Sequence, residues 1–161
     1  MISVAEARTA ILANAAPVPT ESIPLRQALG RTLREDLVAT RDQPPFRASA
    51  MDGYAVRASD TPGVLRLIGE AGAGRALRRA LGPGECARIF TGAPLPDGAD
   101  AILIQEDAVR DNDLVTAPAI AAHLHVRDAG VDFRAGARVL AEGGVLEGVA
   151  LALAASLGRA E

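Results

Sequence analysis

The chain contains no lysine: all 17 of the basic side chains among its 161 residues are arginine. A P-loop needs a lysine ammonium on the β/γ-phosphates, and pyridoxal enzymes and Schiff-base aldolases need a lysine amine as nucleophile, so these chemistries are excluded. Tryptophan is absent too, and the aromatic residues number four: Phe46, Tyr54, Phe90 and Phe133. Binding of single-stranded nucleic acid on stacked rings has no basis in that set. Nor is there a basic excess, since a formal net charge of -3 lacks the balance that neutralises a phosphate backbone or an anionic membrane. The lone cysteine, Cys86, makes no internal disulfide, which fits a reducing compartment. The longest apolar run, Val149 to Ala155, falls far short of the ~18 residues of a membrane helix. Glu6 and Arg8 interrupt the apolar pattern at the N-terminus, which therefore does not read as a signal peptide. The expectation is a cytoplasmic protein that binds neither nucleic acid nor membrane.

What is present is alanine, 34 residues of it, with charged residues at 23% and hydrophobic ones at 49%, ordinary values for a folded chain. Ser3 to Glu6 forms a capping box, so a helix is expected to start there, with Val4, Ala7, Ile11 and Ala15 as its apolar stripe and Pro17 and Pro19 as its end. Pro24 opens a second short helix, Leu25 to Leu29, with Gly30 as C-terminal cap, and Arg31 to Thr40 reads as extended. Pro44-Pro45 denies amide donors and marks a domain boundary. Beyond it lie short apolar runs split by turn residues: Val64 to Ile68, Cys86 to Phe90, Ala101 to Gln105, Leu114 to Ala117 and Leu124 to Val126. Asp111-Asn112-Asp113 is a hairpin turn by composition, and Gly74 to Leu81 reads equally as a short helix or a loop. A strand at Arg138 to Leu140 and a helix at Val149 to Leu157, capped by Gly158, close the chain. The predicted fold is mixed and mainly β: a barrel-like β-rich module, residues 44–133, inserted into a small α/β domain built from 1–43 and 134–161 with helices at both ends.

Several candidate sites weaken on inspection. Gly69, Gly72 and Gly74 miss the dinucleotide-binding spacing, and their surroundings are β-rich rather than βαβ. His123 and His125 would share one face of a strand but have no third ligand nearby. Cys86 sits in an apolar run without a histidine partner, and no serine occupies a nucleophile elbow. Arg75, Arg78 and Arg79 suit an oxyanion or a solvated surface. Stronger is a set of acids and a hydroxyl in small, stiff loops: Asp52 in Ser49 to Val56, Thr91 in Arg88 to Pro96, Glu106 after the following strand, and Asp128 and Asp132 around Gly130. Carboxylates with a loop hydroxyl can coordinate a hard cation such as Mg²⁺ and orient an anionic substrate.

The words PLRQALGR (24–31), PPFRASAMDGYAVR (44–57), RIFTGAPLPDGADAILIQE (88–106), VRDAGVDFRAG (126–136) and LALAASLG (151–158) resemble, in this order, the N-terminal part of the MoeA/gephyrin E-domain family of molybdopterin molybdotransferases. The resemblance implies an enzyme of molybdenum-cofactor biosynthesis that inserts molybdate into adenylylated molybdopterin with Mg²⁺ assistance. It further implies a homodimer working beside other proteins of that pathway. The two domains would form one wall of a cleft facing a pterin- and nucleotide-binding domain of the other subunit. Position by position it implies Asp52, Thr91 and Asp132 as catalytic groups, Asp52 and Asp132 also as metal ligands, and Glu106 and Arg88 as substrate contacts. Arg47-Ala48, Val131 and Glu147-Gly148 depart from the family pattern, which commonly has Asp-Asn, a polar residue and a Thr-Pro cap there. Family enzymes run on into further domains whose motifs this sequence lacks, so the expectation is a region inactive alone. The alternative reading is a non-catalytic dimerisation or interaction module derived from that family.

Overall fold

The computed structural model describes residues 2–16 and 18–161; Pro17, one of the two expected helix terminators, lies outside them. The chain divides into two compact units, Met1–Leu37 with Leu140–Glu161, and Val38–Val139. The sequence reading sets the junctions at 43/44 and 133/134, several residues inside the second unit. Backbone pairing explains the difference. Ala39 donates to Ala137 and Gly136 donates back to Ala39, at 2.9 and 2.8 Å, so residues 38–43 and 134–139 extend the inserted unit. The Asp42 carboxylate adds a bond from the Ala135 N–H at 2.8 Å.

In the first unit α1 (Val4–Leu12) starts from the expected capping box: the Ser3 hydroxyl accepts from the Glu6 N–H, and the Ser3 N–H donates to the Glu6 carboxylate at 2.7 Å. The stripe expected to face a core does not do so, for no described residue of α1 is buried and Val4 and Ile11 are 88% and 74% exposed. The second expected helix is a single 3₁₀ turn, Leu25–Gln27, after which Gly30 at φ +75° reverses the chain. α2 (Gly148–Ser156) packs against that turn and buries Ala154 and Leu157, with Gly158 in the expected left-handed cap.

β1 (Leu37–Val38) pairs with β10 (Arg138–Leu140), the two strands in which the chain passes from one unit to the other, and in the second unit β2 (Ala48–Ser49) pairs with β9 (Val126–Arg127). The remaining strands are β3 (Gly53–Val56), β4 (Gly63–Ala71), β5 (Glu85–Ile89), β6 (Ala101–Ile104), β7 (Val109–Asp111) and β8 (Leu114–Ala117). They form one sheet in the order β6-β3-β5-β4-β8-β7, curled into a half-barrel, with β4–β5 its parallel pair. The mainly β reading therefore holds. Alternation fills both faces of this sheet. Tyr54, Val56, Leu65, Cys86, Leu103 and Val115 form one cluster, whereas Ala55, Ala87, Ile89, Ala93 and Ile102 lie in another.

Two local expectations change. His123 and His125 have φ of +65° and +57°, so they occupy a left-handed turn instead of one face of a strand, and β9 begins only at Val126. The 74–81 segment is a loop: Gly72 and Arg75 exchange backbone bonds of 2.9 Å around a tight turn.

Candidate active site

Three loops at the ends of β2, β5 and β6 converge on Asp52. Buried Ser49 organises the first, because its hydroxyl donates to the Met51 carbonyl at 2.6 Å and accepts from the Met51 N–H. Its backbone joins the second loop, donating to Ala93 O at 3.0 Å and accepting from the Gly92 N–H at 2.8 Å. The third is attached through the Gln105 N–H, which donates to the Asp52 carbonyl at 3.1 Å. Gly53, next in the chain, is obligatory: a Cβ there would lie 2.0 Å from the Leu103 carbonyl oxygen.

Within this frame the exposed Asp52 carboxylate is held by one residue. Its Oδ1 accepts the Thr91 N–H at 2.8 Å and the Thr91 hydroxyl at 2.9 Å, and these two bonds, with a weaker field from Arg88, hold the carboxyl below its ordinary range. An ionised carboxylate only accepts, so the single hydroxyl proton of Thr91 is committed to Asp52 and its lone pairs face outward. Oδ2 accepts no hydrogen bond among the described residues.

Arg88 lies beside this pair. It donates to Gly53 O at 3.1 Å and to the Gln105 side-chain oxygen at 2.7 Å, and the Gln105 amide in turn donates to Glu106 at 3.2 Å. Asp52, Thr91, Arg88 and Glu106 thus belong to one hydrogen-bonded cluster. Asp132 stands outside it. Its Oδ1 accepts from Arg127 at 2.6 Å, and Arg127 pairs across strands with Ala48, four residues before Asp52. No group of three or more His, Cys, Asp or Glu among the described residues is gathered closely enough to hold a metal. Of the basic patch, Arg79 is bound bidentately by Glu85 at 2.9 Å and Arg75 faces Glu70, so these arginines serve the surface. Cys86 is buried, and its thiol is pushed up to about 12. Ser49, Gln105 and Arg127 are residues that the sequence reading passed over. The available signal was their position inside or beside the unusual words.

The sequence and the fold that position this carboxylate have counterparts among known proteins. The sequence profile of the MoeA N-terminal region (domain I and II) matches residues 2–158. The chain belongs to the MoeA family. Molybdopterin molybdenumtransferase 2 of Mycobacterium tuberculosis is 42% identical over 149 residues, covering 87% of this chain and 36% of the relative. Molybdopterin molybdenumtransferase of Haemophilus influenzae is 36% identical over 166 residues, covering all of this chain and 41% of the relative. A crystal structure of the molybdopterin biosynthesis MoeA protein from Pyrococcus horikoshii superposes with a TM-score of 0.85 at 33% identity, over 99% of this chain and 43% of that one. The chain thus spans about two fifths of the length of these relatives.

Proposed function

We propose that this chain forms the domain I and II portion of a molybdopterin molybdotransferase, and that its Asp52 cluster helps insert molybdate into adenylylated molybdopterin during molybdenum-cofactor biosynthesis. The observation carrying this reading is the Asp52–Thr91 pair: an exposed, ionised carboxylate preorganised by two bonds, inside the two longest family words. Thr91 acts by holding Asp52 rather than by donating to an anion. Asp132, oriented by Arg127, supplies the second acid, and Glu106 lies at the cluster's edge.

Mg²⁺ fits these residues in one way. Asp52 and Asp132 each keep a carboxylate oxygen without a described hydrogen bond, and Mg²⁺ is commonly held by one or two carboxylates with substrate oxygens and water completing the shell. When bound, the ion would neutralise charge building on the phosphate and oxyanion groups. The protein groups fix where that charge sits. Cytoplasmic location, homodimerisation and contact with other proteins of the pathway belong to the same proposal; among the described residues no helix is long and apolar enough to cross a membrane.

The test uses the full-length protein in a strain lacking this enzyme, with nitrate reductase activity as readout. Asp52→Asn and Asp132→Asn are expected to lower turnover by about 10²-fold, the order lost with one preorganised electrostatic group, while Tm stays within a few degrees. Unchanged turnover would return both acids to structural roles. The 161 residues alone are expected to give no rescue; rescue would overturn the requirement for a further pterin-binding domain. A second reading, a dimerisation or interaction module, draws on the exposed Val4, Ile11 and Leu12 of α1. A strict monomer without partner binding in light scattering would remove it.

A further inference from the structure

We infer that Arg88 is a positioning residue for Asp52, acting through the Gly53 carbonyl and the Gln105 side chain, and that it does not contact substrate. This rests on the reading of Asp52 as a functional acid, and it replaces the expectation of Arg88 as a substrate contact.

The geometry commits Arg88 to the protein through two of its five N–H donors. A guanidinium binds by its edge, through planar N–H donors, and by its two faces. Here both terminal nitrogens donate, Nη1 to Gly53 O at 3.1 Å and Nη2 to Gln105 Oε1 at 2.7 Å. The rings of Tyr54 and Phe90 lie 5.3 and 4.8 Å from the guanidinium carbon, within cation–π range. Sheet geometry brings them there. Tyr54 is the cross-strand partner of Arg88, and Phe90 follows two residues along the chain, so all three side chains leave the sheet on one side. The chain has only four aromatic residues, and two of them border this guanidinium.

The two acceptors belong to residues that border or hold the Asp52 backbone. Gly53 follows Asp52 directly, and Gln105 is the residue whose N–H holds the Asp52 carbonyl at 3.1 Å. One rigid fork therefore joins the start of β3 to the loop after β6, with Asp52 at the junction. Charge alone is a role lysine can fill. A two-pronged planar fork lying beside two rings is not, because an ammonium on a flexible stem fixes neither acceptor's direction.

The test follows Asp52 directly by NMR, using this chain with ¹³C-labelled aspartate, and needs no substrate. Arg88→Lys and Arg88→Met are both expected to raise the Asp52 titration midpoint and to move the Thr91 amide resonance upfield as its bond to Oδ1 lengthens. The lysine variant is expected to recover less than half of the change seen with methionine. A wild-type titration in Arg88→Lys would show that charge suffices and overturn positioning. If both variants unfold, Phe90→Leu removes one flanking ring while keeping Arg88, and is expected to shift Asp52 the same way by a smaller amount; no shift there overturns the inference. In the full-length protein Arg88→Lys is expected to lower kcat with KM changed less than about twofold, the pattern of a lost transition-state interaction. A raised KM with unchanged kcat would mark direct substrate contact and overturn it. If Asp52→Asn keeps full turnover while Arg88→Lys still moves the Asp52 titration, the functional reading falls and the positioning stands.

Discussion

Both donors of Thr91, its amide and its hydroxyl, end on one oxygen of Asp52. Thr91→Val keeps the shape and the amide but deletes the hydroxyl bond, so the Asp52 midpoint is expected to rise toward the ordinary carboxylate range, as measured by the same NMR titration. Because the native carboxyl is depressed, its contribution to stability is complete above the unfolded value near 3.9 and is lost as pH falls through the lower folded value. Thr91→Val is expected to narrow that acid window. Gly53→Ala tests the frame and not the charge. Its Cβ would sit 2.0 Å from a backbone oxygen that cannot swing aside, so a loss near or above the upper end of the usual overpacking cost, about 3 kcal/mol, is expected in urea unfolding. At this scale Asp52 and Thr91 stand out in the sequence because they lie in long, unusual words. Their mutual bond does not, because it depends on how the loops after β2 and β5 meet, and that is fixed by Ser49, a residue with no chemical signature of its own. Arg88 was visible as a cation, yet only the register of β3 on β5 shows that rings and carbonyls engage it.

Among elements, the strands of the main sheet read well because apolar runs bounded by turn residues are a local signal. β8 falls on Leu114–Ala117 as expected, with Asn112 at φ +52° making its hairpin. The His123 and His125 turn misled because alternation is also what two left-handed residues around Leu124 produce. α1 misled differently: periodicity shows that a helix has an apolar stripe, not that anything in the chain covers it. Its start is well specified, and Ser3→Ala is expected to remove about 1 kcal/mol of helix stability. Since no described residue of α1 is buried, far-UV ellipticity should fall slightly while the main unfolding midpoint stays put. Leu65→Ala acts oppositely. It opens a cavity in a side chain only 1% exposed, with an expected loss of about 2–5 kcal/mol by chemical denaturation.

For the whole molecule, Cys86 offers a readout of global opening. Its folded thiol is pushed up to about 12 by burial, against about 8.5 when unfolded. The neutral thiol therefore favours the fold fully below about pH 8.5, and that contribution is lost as pH climbs toward 12. A thiol reagent at pH 8 is expected to leave the native protein unlabelled and to react at once in denaturant; rapid native labelling would contradict the burial. The change of texture along the chain is what suggests a β-rich unit set into a helical one. Its junctions do not follow from that change, because residues 38–43 and 134–139 are joined by backbone bonds between positions nearly a hundred apart.

The placement of Asp52 has a dynamic meaning. β3 begins at the next residue, is buried along its whole length and is bonded on both sides, to β5 and to β6. Strands so placed exchange their amide hydrogens only through large-scale opening, whereas solvent-facing loops exchange by fraying. One peptide bond therefore separates the acid that meets solvent from the slowest-exchanging stretch expected in the sheet. Local breathing that frees α1 or the hairpin at Asn112 leaves the backbone beside Asp52 where it is, whereas the direction of the carboxylate follows the loop that carries Thr91.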